Sequence, residues 1–316
     1  MRVPKQISDL LREKQEHIDL HRGRMEKSVI KLQDRLLNEV IAEILPNLDV
    51  KDGKILDTTK NYQILGDLDK VYKEFTAMSS SLMSSQISGV TTGLVNLGKN
   101  YFAVALTDDL GKRFDKVVLS TANKMNARIG LKGGKMVRGG FLDSFMKDQT
   151  LATQIKSFIS KSVTGQIDTK DFIKGLGKIV TGDEGKGALE KQYERYAYDV
   201  YQQYDAAYNS TLADEFGMNY FIYQGGLIND SRDFCAAHNN KVWSRDEAED
   251  WRTWTPSLGE YPEGYEVKSK SPYDVPSYID YPGYDPLVDR GGYNCRHMLG
   301  WISDNLAKEL REDLNA

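Results

Sequence analysis

The stretch Met218–Gly226, MNYFIYQGG, is where the periodicity of the chain changes. Alternation and β-forming residues begin there, directly after Gly217, and the pattern predicts a strand starting near Met218. Upstream, from Leu189 to Phe216, aromatics recur at helical spacing instead: Tyr193, Tyr196 or Ala197, Val200 or Tyr201, Tyr204, Tyr208, Leu212 and Phe216. That stripe reads as one face of a long helix packed in a core, in preference to a platform on which bases stack.

Proline draws the same division. After Pro4 and Pro46 there is none until Pro256, and then Pro256, Pro262, Pro272, Pro276, Pro282 and Pro286 follow closely. All four tryptophans and both cysteines lie beyond residue 230. The proline-free stretch can be mostly helix, since no backbone donor in it is missing. A first helix is expected over residues 5–44, with an apolar stripe that includes Ile30, Leu36, Leu37, Val40 and Ile44, ended by Pro46. Further helices are expected over 61–77, 80–106, 108–127, 141–161 and 168–180, the last with Asp168 as N-cap. The fold class expected is α+β, predominantly α. A helical N-terminal region, residues 1–150, precedes a small mixed α/β domain, residues 151–316, with long irregular loops.

At 316 residues the chain is long enough for two or three folded units. It is 40% hydrophobic and 28% charged, which is globular, and a net charge of −4 does not indicate naked DNA as a dominant partner. Two cysteines make no disulfide framework and suit a reducing compartment. The charged N-terminus has no apolar segment of a secretory signal, and no window reaches the roughly 20 apolar residues of a membrane span. The protein is therefore expected to be made and folded in cytosol.

Two signals look chemical but read otherwise. GLKGGKMVRGG, residues 130–140, lacks the Walker A pattern, because Ile129 and Met136 stand where a glycine and a hydroxyl are needed. It is expected to be a flexible basic loop. His17 and His21 share a helix face but lack the glutamate of a metalloprotease motif, so a solvated face is expected.

Cys235, His238, Cys295 and His297 use every cysteine and half of the histidines. Two thiolates and two imidazoles are ligands that zinc prefers, and four protein ligands make a closed, structural site. Such a Zn2+ clip would tie together the ends of the proline-rich excursion, whose ordering costs about 1–2 kcal/mol per residue. The C-x-H pair can share a face only in an extended segment. Two further readings stay open: buried thiols beside backbone-bonded histidines, or a cysteine nucleophile with a histidine base and Asp230 or Asp233.

DSRDFCAAHNNKVW, residues 230–243, and GGYNCRH, residues 291–297, resemble the two motif blocks of the phage Mu F-like head-morphogenesis family, the phage minor head or minor capsid proteins. The family pattern is an R-x-x-C/H-x-x-H/L-x-G-K-V block after a strand, a tryptophan-containing helix, and a P/G-x-N-C-R-C/H block. Arg232, Cys235, His238, Lys241, Val242, Trp243, Trp251, Asn294, Cys295, Arg296 and His297 occupy these positions, with Asn240 in place of a glycine and His297 in place of a second cysteine. The resemblance covers roughly residues 150–305. It implies a minor head protein, not an enzyme, acting near the portal in head morphogenesis and packaged and ejected with the genome. Its partners would be portal, coat or scaffold proteins and packaged DNA, and its location the virion. Arg232, Lys241 and Arg296 are expected to orient the loop or bind a partner's carboxylate or phosphate. The rival from another class is a metal-dependent hydrolase or nuclease with one ligand position open to water.

Overall fold

The computed structural model describes residues 4–106, 111–138, 143, 150–182, 185–293 and 295–315. The helices are α1 (Lys5–Ile44), α2 (Thr59–Ala105), α3 (Gly111–Arg128), α4 (Thr150–Thr164), α5 (Thr169–Val180) and α6 (Ala188–Glu215), then the short α7 (Asp233–His238), α8 (Arg245–Glu249), α9 (Pro286–Asp289) and α10 (Asp304–Leu310). The strands are β1 (Val50–Lys51), β2 (Lys54–Ile55), β3 (Leu131–Lys132), β4 (Lys135–Met136), β5 (Tyr220–Gln224), β6 (Lys241–Ser244) and β7 (Met298–Ile302). The chain is α+β and predominantly α. No described helix is long and apolar enough to cross a membrane.

The first helix has the limits expected of it, and α5 begins on Asp168, whose carboxylate accepts from the Lys170 amide at 2.8 Å. The two helices expected over 61–77 and 80–106 are instead one continuous helix, α2. The polar run AMSSS does not break it, because hydroxyls there bond back to the preceding turn: Thr76 Oγ1 donates to Tyr72 O at 2.8 Å and Ser79 Oγ to Phe75 O at 2.9 Å. Residues 141–149 of the helix expected at 141–161 lie outside the described residues, apart from Asp143; α4 accounts for the remainder.

The chain forms two compact units, whose segments interleave along the sequence rather than following one another. One comprises residues 21–88 and 127–197, and contains position 150, where the sequence reading divides the chain. In it α1 buries Met25, Val29, Leu32, Leu36, Val40 and Ile44, spaced by three and four so that they form one stripe. Phe158 of α4 stacks on Phe172 of α5 at 5.6 Å. The segment expected to be a flexible basic loop is a hairpin, β3 paired antiparallel with β4. Gly133 and Gly134 have φ of 56° and 74°, and two consecutive positive φ values are what a tight two-residue hairpin turn requires.

The other unit comprises residues 1–20, 89–126 and 198–316. Here Lys14 is buried, donating to Asn209 Oδ1 at 2.8 Å and paired with Asp205 at 3.1 Å. Burial pushes its amine below the ordinary lysine value, and Asp205 opposes that shift. His17 is half-buried rather than solvated, with Nε2 3.2 Å from Val90 O. Tyr201, Tyr204, Tyr208 and Leu212 of α6 are core residues. The helix closes with a Schellman arrangement: Gly217 N donates to Asp214 O at 3.1 Å and Met218 N to Ala213 O at 2.8 Å, with Gly217 at φ 66°.

Beyond that cap lies a three-stranded antiparallel sheet of order β6-β5-β7, so the stretch that marks the change of period is the central strand. Its alternation sends Phe221 and Tyr223 to one face and Ile222 to the other. Trp251 stands edge-on to both Phe221 and Tyr223, at 5.7 and 5.5 Å. On the opposite face Gly300, paired with Ile222, leaves room for Leu11 of α1, and Tyr101 of α2 donates to Trp301 O at 2.9 Å.

Candidate metal centre

Tyr223 points from β5 toward α7, all six residues of which are buried. After α7 the chain turns back into β6 through Asn239 and Asn240. Asn240, where the resembled family has glycine, has φ 58°, and its amide donates to Tyr223 O at 2.7 Å. Asparagine is one of the few non-glycine residues that visit this region readily. The second block turns at residues 291–293, and residues 295–297 lead directly into β7; Asn294 lies outside the described residues. Cys295 and His297 face the centre together, as a C-x-H pair must to share a metal ion.

Cys235, Cys295 and His297 are all buried, and their ligating atoms lie within 4.8 Å of one another. Cys235 Sγ is 4.0 Å from Cys295 Sγ, which is 3.8 Å from His297 Nδ1. A tetrahedral metal with sulfur at about 2.3 Å and nitrogen at about 2.0 Å separates its ligand atoms by roughly 3.5–3.8 Å. The group can therefore hold a metal ion with small adjustments. Space for it depends on Gly291, where a Cβ would come 2.7 Å from Cys235 Sγ and 3.2 Å from Cys295 Sγ. His297 Nε2 is buried without a hydrogen-bond partner.

His238, the fourth residue of the sequence constellation, is not in this group. A C-x2-H spacing on a helix does place both side chains on one side, but the His238 ring is held elsewhere. Its Nδ1 bonds to Phe234 O at 2.7 Å, and the ring lies among Phe234, Trp243, Trp251 and Trp254 with centroids 4.0–5.4 Å away. Burial there lowers its pKa to about 3, against the raising effect of the Phe234 carbonyl, so the ring is neutral.

Tyr223 is the member that spacing does not reveal. Its hydroxyl is 3.5 Å from Cys235 Sγ and 3.4 Å from Cys295 Sγ, and its ring stacks on His297 at 4.8 Å. Burial raises its pKa well above the ordinary tyrosine value, so it remains a donor to sulfur. The mutual hydrogen bond of the two thiols, together with burial, pushes Cys235 up; Cys295 is pushed down by the bond from Cys235, against burial, with help from His297 and Arg290. The arrangement offers two sulfurs and one imidazole, which suits metal ligation; among the described residues no carboxylate belongs to the group.

The cations of the two blocks act as staples. Arg232, at the N-cap of α7, donates Nη1 to Gly291 O and Nη2 to Tyr293 O, both at 2.6 Å, and lies over the Tyr278 ring at 4.8 Å. Lys241 reaches Glu260 O at 3.0 Å, and Arg296 is exposed. The Asp233 carboxylate is occupied by four donors. Oδ1 accepts from Lys268 N at 2.8 Å and Tyr265 Oη at 2.9 Å, and Oδ2 accepts from Ser269 N at 2.8 Å and from the Ser269 hydroxyl. Burial works against its charge, but these donors outweigh it and hold the carboxyl below its ordinary value. Farther along the chain, Arg311 forms a two-pronged pair with Glu247 at 2.6 and 2.7 Å.

Comparison with protein-family models, with curated proteins and with solved structures gives no match for this chain.

Proposed function

We propose that this chain is a phage minor head protein that acts in head morphogenesis near the portal, and that its C-terminal segment is built around a structural zinc centre formed by Cys235, Cys295 and His297. One observation carries the structural part: two blocks some sixty positions apart meet at a single buried point, with ligand atoms inside 4.8 Å. Between them runs an excursion of short turns with little sheet or helix of its own. A metal that joins its ends makes metal binding part of the folding free energy. The assembly role rests on the resemblance of the same two blocks to the head-morphogenesis family, with portal, coat or scaffold protein as partner and packaged DNA as a further contact.

The test is elemental analysis of the purified protein and of Cys295→Ser, with near-ultraviolet circular dichroism before and after chelator. The expected result is one zinc per chain in the parent, none in the variant, and loss of tryptophan ellipticity on chelation. Absence of metal in both would defeat the zinc reading. Affinity purification from induced cells that recovers no portal, coat or scaffold protein would defeat the assembly reading.

A second reading is favoured by the ligand count, since three protein ligands leave a fourth position for water, as in catalytic sites. A hydrolase of that kind would cleave DNA or peptide in a zinc-dependent way, and would keep its fold when chelator removes the activity. The structural centre predicts the reverse.

A further inference from the structure

Beside the centre lies a cavity of about 300 Å³, with Cys295 in its wall. Its other walls include Gln202, Tyr278, Tyr281, Asp289, Arg290 and Tyr293. Arg290 is only 2% exposed. Its Nη1 donates to Gln202 Oε1 at 3.2 Å and to His297 O at 2.6 Å, both neutral acceptors, while Nε has no hydrogen-bond partner. Asp289 faces the same space but is bonded to other donors. Its Oδ2 accepts from the Asp285 amide at 2.8 Å, and its Oδ1 accepts from Gln203 Nε2 at 3.4 Å.

The backbone adds an independent observation. Arg290 has φ 54° and ψ −115°, outside the regions open to L-residues, and is pinned there by the Tyr284 hydroxyl, which donates to its carbonyl. Such a conformation is unfavourable for a residue with a Cβ and persists where the surroundings impose it. Here it carries a guanidinium, hydrogen-bonded to neutral acceptors and with Nε unpaired, to the wall of a cavity that also holds Asp289. A buried donor left without an acceptor is costly, and an anion in the cavity would supply one.

We infer that this cavity binds a carboxylate, with Arg290 as its anchor and Tyr278, Tyr281 and Tyr293 as walls for the organic body that carries it. A monoanion fits better than a phosphate dianion, because the wall that supplies one guanidinium also holds the acidic Asp289. The carboxylate can come from a free organic acid or from an acidic side chain of a partner protein. The inference is independent of zinc, since no metal ligand is needed to hold the anion.

The test is calorimetric titration of the full chain with benzoate, with benzamide as its neutral isostere, and with the blocked peptide acetyl-Gly-Glu-Gly-amide. Benzoate or the peptide is expected to bind at least about tenfold more tightly than benzamide. Arg290→Gln is expected to abolish that difference. Val288→Trp, which fills the cavity and leaves Arg290 in place, should abolish binding itself, and serves alone if Arg290→Gln does not fold. Preference for benzoate assigns a free acid, and preference for the peptide assigns a partner's side chain. Equal binding of benzoate and benzamide, binding of none of the probes, or carboxylate binding that survives Val288→Trp would overturn the inference.

Discussion

Helix α1 and the excursion from residue 250 to 290 are held in place by opposite means. Over its 40 residues α1 repeats one device, an apolar side chain every third or fourth position, so its stability is spread over many buried groups of about 1.5–3 kcal/mol each. The excursion has hardly any ladder of its own and is held by a few scattered anchors: buried Trp251, Trp254, Ile279 and Tyr284, and polar side chains most of which are rooted outside it. Asp233 collects four donors from Tyr265, Lys268 and Ser269, Arg232 holds the carbonyls of Gly291 and Tyr293, and Lys268 Nζ returns to Ser231 O at 2.9 Å. Periodicity makes a segment tolerant of single changes. Point attachment makes it fragile at named positions.

That contrast breaks first at Lys14, where a polar attachment takes a position in the stripe of α1. Lys14→Met would strand Asp205 in the core and is expected to cost about 3–5 kcal/mol, measured by urea unfolding. The double variant Lys14→Met/Asp205→Leu should recover most of it; if the single variant unfolds like the parent, the pair contributes nothing. The contrast sharpens at Asp233. Asp233→Asn sets an amide among donors and should cost about 2–3 kcal/mol, with proteolytic cleavage appearing between residues 250 and 290 while the helices stay protected. Uniform cleavage throughout the chain would contradict point attachment.

The smallest effect is on pH. His238 has a folded pKa near 3, below the ordinary 6.5, so as pH falls below 6.5 the unfolded chain takes up a proton that the folded one refuses. Stability contributed by neutral His238 is present above pH 6.5 and declines toward pH 3, by roughly 1 kcal/mol between pH 7 and 5.5. Asp233, depressed below 3.8, adds its own loss in more acid solution. His238→Phe should flatten the slope of the urea midpoint between pH 7 and 5.5, and an unchanged slope would show that the ring does not control it.

The readable parts of the sequence were those whose cause is local. Pro46 ends α1, Asp168 caps α5, and the change of period at residue 218 becomes the central strand. Of the centre, Cys235, Cys295 and His297 could be picked out because metal-ligand residues are scarce in this chain. Tyr223 could not, since a strand tyrosine facing sulfur has the same pattern as one facing a core. Arg290 carries no signal either, because its role depends on a backbone conformation that no residue type announces. Spacing alone groups His238 with the ligands. The aromatic residues after it, Trp243, Trp251 and Trp254, were the available sign that its ring has other neighbours.

The interleaved unit has a consequence for synthesis. Leu11 finds its place at Gly300, Lys14 at Asp205 and Asn209, and Tyr101 at the Trp301 carbonyl. At about 5–20 residues per second, the ribosome supplies those partners roughly 10–60 s after it has made the first helix. Residues 21–88 and 127–197 can assemble during that interval, whereas the first twenty cannot. An apolar helical stripe thus waits in a crowded cell for residues 205–301 of its own chain, and a chaperone that shields amphipathic helices would act first on residues 5–20.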